Sequence, residues 1–200
     1  MKMTINHSSI NGKLFLLALC LVVPSLAQAH PLPGQSSSLL GGLAHPLSGL
    51  DHILAMVAVG LWAAQLGGRS VWLVPAAFVG FMSIGGGLAI SGFSLPLVET
   101  GIAVSVLVFG ILIATTVRLP LAASMALVGL FAIFHGHTHG TEMQVGVSGL
   151  SYELGFVLAT AGLHACGIGI GRLAQRQSKT PLLRFAGASI ALVGLLLCLA

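Results

Sequence analysis

Two short stretches of this 200-residue chain gather side chains able to bind cations: "HPLSGLDH" at 45–52 and "FHGHTHGTE" at 134–142. On a helix, His135, His139 and Glu142 fall at i, i+4 and i+7 and share one face, while His137 points nearly the opposite way. Histidines one turn apart are a common bidentate arrangement for a metal, and a carboxylate one turn further on completes or gates it. His137 is then expected to matter least. In the first stretch, Pro46 suits the opening turn of a helix and places His45 at its cap. His45 and His52 return to nearly one face, but an ideal axis separates them by roughly 10 Å, so joint ligation requires an irregular cap. Asp51, rotated about 100° from His52, either ligates from the side or orients an imidazole by hydrogen bonding.

The elements that position these groups follow from composition. With 56% hydrophobic and 6% charged residues and a mean hydropathy of +1.04, the chain lacks the charge a water-exposed surface requires, so the fold class is an all-α integral membrane protein. The formal charge of +4 does not signal nucleic-acid binding, because the basic residues are scattered at helix ends without interleaved aromatics. Cys20, Cys166 and Cys198 sit singly in apolar runs and offer neither a disulfide framework nor a paired-thiolate metal site.

Lys2 and Lys13, the apolar run "LFLLALCLVVPSL" and the small-residue site "AQA" at 27–29 read as a cleavable signal peptide over 1–29, leaving His30 as the mature N-terminus. Residues 30–200 then form one six-transmembrane-helix bundle. Its spans run about 46–66, 71–91, 95–116, 119–142, 149–171 and 181–199, separated by turn sequences such as "GGRS" and "SGFS". Glycines within the spans, including Gly136, Gly140 and the "GIGIG" of 167–171, suit close helix–helix approach in lipid.

With His30 outside, Arg69, Arg118, Arg172, Arg176, Lys179 and Arg184 all fall on the cytoplasmic side, as the positive-inside rule requires. The expected location is the bacterial inner membrane, with both mature termini periplasmic. His45, Asp51, His52, Glu99, His135, His139 and Glu142 then gather in the outer part of the spans, His52 roughly 9 Å and Glu99 roughly 5 Å below the starts of their helices. Charged groups at such depth are costly and tend to line a polar pathway. Any one of these histidines is explained equally well by hydrogen-bonded packing; the set at one level points to an ion. Glu153 reads as a solvated helix start, His164 in the fifth span as a packing residue or, second, a group on the exit path, and Met56 as apolar filler or a soft transient ligand. Imidazole and carboxylate without thiolate suit nickel, cobalt or zinc and do not choose among them.

The first stretch resembles the Hx5DH motif, and the second the FHGx[AV]HGxE motif, of the HupE/UreJ family of signal-bearing, six-span membrane proteins. The resemblance covers the mature chain. It carries over His45, Asp51 and His52 from the first motif and Phe134, His135, Gly136, His139, Gly140 and Glu142 from the second; His137 occupies a variable position. Thr138 departs from the Ala or Val of the motif but is small and β-branched like Val. Glu99 resembles the acidic residue of the third span. The resemblance implies uptake of nickel or cobalt for hydrogenase or urease maturation.

The resulting expectation is a permease, not an enzyme, that moves a divalent metal, most simply Ni2+, from periplasm to cytoplasm. It carries no prosthetic group and no phosphate-binding loop to couple ATP. Its expected partners are the metal ion and the lipid bilayer, with a metallochaperone or a second copy of the chain as further candidates. The rival reading is a membrane-embedded zinc hydrolase using the same His/Asp cluster with Ser48. A bis-histidine haem protein is a third reading, disfavoured by the carboxylates.

Overall fold

The structure is a computed structural model and describes residues 39–142 and 149–200. The expected signal peptide, His30 and Cys20 lie outside the described residues. Among the described residues seven helices follow one another: α1 (Leu39–Ser48), α2 (Leu50–Leu66), α3 (Ser70–Ile90), α4 (Val98–Thr115), α5 (Leu121–Glu142), α6 (Gly149–Arg176) and α7 (Thr180–Leu199). The protein is an all-α membrane protein. Five of the described helices, α3 to α7, are long and apolar enough to cross a bilayer; α1 and α2, bent by 87° at their junction, bring the number to six when the pair is counted as one span.

That bend corrects the expectation of a straight first span beginning at residue 46. Helix already begins at Leu39, and Pro46 lies inside α1 instead of opening α2. The break falls at Gly49, which is extended at φ −100°, ψ 124°. A second departure is α6, which runs on to Arg176 instead of ending near 171. "RLAQR" contains only good helix formers, and the chain turns only at Ser178, where φ is 54°. The charged end of α6 thus stands beyond its apolar window.

The most buried helix is α2, whose residues from Leu54 to Ala64 are nearly all enclosed. It packs chiefly on α6, α4 and α3; α3 pairs with α5, α4 with α7, and α1 lies against α6. Close approach rests on glycine. A Cβ at Gly136 would collide with the carbonyl of Met82, and one at Gly167 with that of Val57, so α5 and α6 come to their neighbours backbone to backbone. The rim is apolar: Trp72, Leu130, Leu158, Leu173, Leu192 and Leu196 point outward, as side chains facing lipid do.

The two ends differ. At one, Trp62 Nε1–H donates to the carbonyl of Val117 (3.0 Å), Gln65 to that of Ile113 (3.2 Å), Gln175 to that of Ala64 (3.0 Å) and Arg184 to that of Ala114 (3.0 Å). Arg172 stacks over Trp72 at the same end, 5.8 Å from its ring. The imidazoles and carboxylates stand toward the other.

Candidate metal site

Four elements deliver the polar groups: α1 brings His45, the first turn of α2 brings Asp51 and His52, and the last turns of α5 bring His135, His139 and Glu142. The fourth, α6, supplies Tyr152 and Phe156. The bend at Gly49 folds α1 over the start of α2, so the His45 and His52 rings approach to 6.2 Å. The irregular cap that joint ligation requires is therefore a whole bent helix.

One ligand atom from each of His45, His139 and Glu142 lies within 4.8 Å of the others. His45 Nε2 and Glu142 Oε2 are 2.9 Å apart, and the His45 and His139 rings are 4.5 Å apart. Two further imidazoles extend this group inward: His52 lies 4.8 Å from His139 and 4.9 Å from His135, centroid to centroid. The five imidazole and carboxylate side chains thus form one continuous file from the half-exposed Glu142 to the fully enclosed His135.

Hydrogen bonds fix which nitrogens remain available. Asp51 Oδ1 accepts from the backbone N–H of His52 (2.7 Å) and from its Nδ1 (2.8 Å), leaving Nε2 as a lone pair without a hydrogen-bond partner among the described residues. A Cβ on Gly49 would stand 2.7 Å from Asp51 Oδ1 and 3.0 Å from His52 Nδ1; glycine makes room for this pair. Ser105 spends its one proton on the carbonyl of Ile102 (2.6 Å), so its oxygen, 3.0 Å from His135 Nε2, accepts from that ring. His135 Nδ1 is then the bare nitrogen, and it too has no partner. Among the described residues neither nitrogen of His139 has one, and its ring lies tilted by 48° against that of Phe156, with centroids 3.5 Å apart. Buried polar atoms left unpaired cost about 1–3 kcal/mol each. Lone pairs concentrated in this way are what a cation satisfies.

Asp51, which the sequence left as either ligand or orienting group, thus holds His52 in its tautomer. His137 faces away from the file. Its Nε2 lies 2.8 Å from the carbonyl of Phe93 and 3.2 Å from the backbone N–H of Leu95, in the α3–α4 turn. Glu99 does not join the others: it sits exposed in the first turn of α4 and makes no ion pair with a described residue. Glu153 is half-buried and lines, with His139, Tyr152, Phe156 and Met82, a cavity of about 30 Å³. Ser48, the nucleophile of the hydrolase reading, donates to the carbonyl of His45 at 2.6 Å and is turned from the file. Ser105 and Phe156 escaped the sequence reading. A lone hydroxyl in the apolar "IAVSVLVFG" could have marked the first; nothing in the sequence distinguishes Phe156 from other span aromatics.

The family described as HupE / UreJ protein matches residues 17–197 of the chain. A curated relative, Protein HupE of Rhizobium leguminosarum bv. viciae, is 46% identical over 188 residues, covering 94% of this chain and 96% of the relative. The chain belongs to the HupE/UreJ family. No solved structure matches it. In this HupE/UreJ protein, side chains of both stretches come together in one file of four imidazoles and a carboxylate, contributed by α1, α2 and α5.

Proposed function

We propose that this HupE/UreJ protein is a permease for a divalent transition metal, Ni2+ first and Co2+ second, serving the maturation of a hydrogenase or urease. The observation that carries the reading is the convergence of His45, His139 and Glu142 ligand atoms within 4.8 Å, backed by the unpartnered nitrogens of His52, His135 and His139. Four imidazoles and a carboxylate without thiolate suit borderline first-row divalent ions.

Geometry suggests the order of events. Glu142, the most exposed of the ligands, and His45 meet the ion first, their mutual contact giving way to it. Exposed Glu99 adds negative potential at the same end. His139, with both nitrogens unpaired, takes the ion from water, and His52 and His135 stand next. Asp51 and Ser105 hold these two rings by their far nitrogens, which fixes the tautomer and raises ligand basicity. Neutral imidazoles and a single carboxylate keep affinity moderate, as release requires. Arg69, Arg118, Arg172, Arg176, Lys179 and Arg184 flank helix ends opposite the file, so the positive-inside rule makes the file periplasmic and the movement inward.

Uptake of Ni2+, Co2+ and Zn2+ into liposomes holding the purified protein tests this. Expected are Ni2+ flux in the wild type and its abolition in His139→Ala and His52→Ala. Stoichiometric zinc without flux in the wild type would instead place the protein among the hydrolases.

A further inference from the structure

Below the ligand file, α6 holds a second polar group in the apolar core that the capture of an ion at Glu142, His45 and His139 does not use. Thr160 and His164 lie one turn apart on the same face of α6 and are both buried. Thr160 Oγ1 is 3.3 Å from Met56 Sδ and 3.7 Å from Met82 Sδ, so one hydroxyl draws together thioethers from α2 and α3. Met56 is gripped twice, because its carbonyl also accepts from His164 Nδ1 at 2.8 Å. That bond places the proton of His164 on Nδ1 and leaves Nε2 a bare lone pair, buried and without a partner among the described residues. An imidazole tied back by one nitrogen with the other unpaired is the posture that metal-ligating histidines adopt, and His52 and His135 hold it too.

Two features link this group to the file. Phe78 stands between them, its ring 5.5 Å from that of His135 and 5.1 Å from that of His164. The cavity beside His139 is also lined by Met82, so one space touches a residue of the file and one of the lower group. Met56 lies one turn deeper in α2 than His52, about 6 Å along the axis.

We infer that His164 Nε2 with the Met56 and Met82 sulfurs forms a second, uncharged station for the transported cation, reached from the outer file past Phe78. The inference rests on the permease reading for its purpose, though its geometry stands alone. Thioether and imidazole are soft-to-borderline donors that accept a late first-row ion and exclude Mg2+ and Ca2+, which require oxygen. Having no carboxylate, the station holds the ion loosely and passes it on, and it supplies ligands where the inner half of the bundle offers no acidic residue.

Equilibrium dialysis of the purified full chain against Ni2+, with nickel-edge X-ray absorption of the bound ion, tests the station apart from transport. The wild type is expected to take a second, weaker equivalent bearing sulfur scatterers. Met56→Leu/Met82→Leu, which conserves volume, and separately His164→Leu should each lose it, keep the first equivalent, and carry Ni2+ about tenfold or more slowly. A single equivalent without sulfur in the wild type, or a second equivalent surviving in both variants, overturns the station. Sulfur-ligated nickel in a wild type that passes no Ni2+ into liposomes would sink the permease reading and leave the station standing. Undiminished flux in the methionine variant of a working permease would do the reverse.

Discussion

The rings of His45 and His52 lie 6.2 Å apart, although seven residues of straight helix would separate them by roughly 10 Å. The difference is the 87° bend between α1 and α2, and everything the site does with His45 depends on that bend being held.

What holds it is a backbone-to-backbone seam between α1 and α6. A Cβ on Gly42 would run into the carbonyl of Tyr152, and one on Gly155 into that of Leu39. Gly42→Val is therefore expected to push α1 off α6 and withdraw His45 from Glu142. Its Ni2+ affinity, measured by equilibrium dialysis, should match that of His45→Ala, and the double variant should be no worse than either, as expected for changes that remove one shared contact.

Gly49→Ala tests the Asp51–His52 pair. The backbone there is an ordinary extended one, so alanine costs nothing conformationally. Its methyl, however, would crowd Asp51 Oδ1 at 2.7 Å. The expected outcome is a loss of Ni2+ affinity of about 10–100-fold, the usual effect of disturbing a group that orients a metal ligand, equal to that of Asp51→Ala and with helix content by circular dichroism unchanged.

Ser105→Ala removes the acceptor of His135 Nε2 without touching a ligand. A buried ring nitrogen is left unpaired, at about 1–3 kcal/mol, and His135 is free to change tautomer. A lowered melting temperature together with slower Ni2+ flux is expected; Ser105→Thr, which keeps the hydroxyl, should restore part of both. Wild-type flux in Ser105→Ala would show that His135 acts without its tether.

His137→Ala separates structure from ligation. Its Nε2 bonds the α3–α4 turn, as donor to the Phe93 carbonyl in one tautomer or acceptor from the Leu95 N–H in the other, so its loss is expected to cost about 1 kcal/mol of stability. Most Ni2+ flux should remain, in contrast to His139→Ala two residues on.

Much of this was readable in the chain because helical periodicity is a strong signal when an apolar span carries few polar side chains. His135, His139 and Glu142 sort to one face and His137 to another by spacing alone, and the structure places them so. The bend was not readable: "HPLSGLDH" with Pro near its start looks like a helix opening, and only packing against α6 shows that Pro46 is already inside α1. Glu99 was placed with the ligands on depth, but depth does not fix azimuth, and its position on α4 leaves it exposed. Ser105 and Phe156 act through long-range contacts, which spacing within a helix cannot supply. The arrangement of His164 with Met56 and Met82 joins residues from three helices and is likewise visible only in the folded chain.

The four side-chain-to-carbonyl bonds around Trp62, Gln65, Gln175 and Arg184 fasten one extremity of the bundle, whereas the unmet hydrogen-bonding capacity of the protein gathers mostly at the other. Opening at the imidazole end offers water to nitrogens that lack a partner, whereas opening at the arginine-bearing base breaks bonds already made.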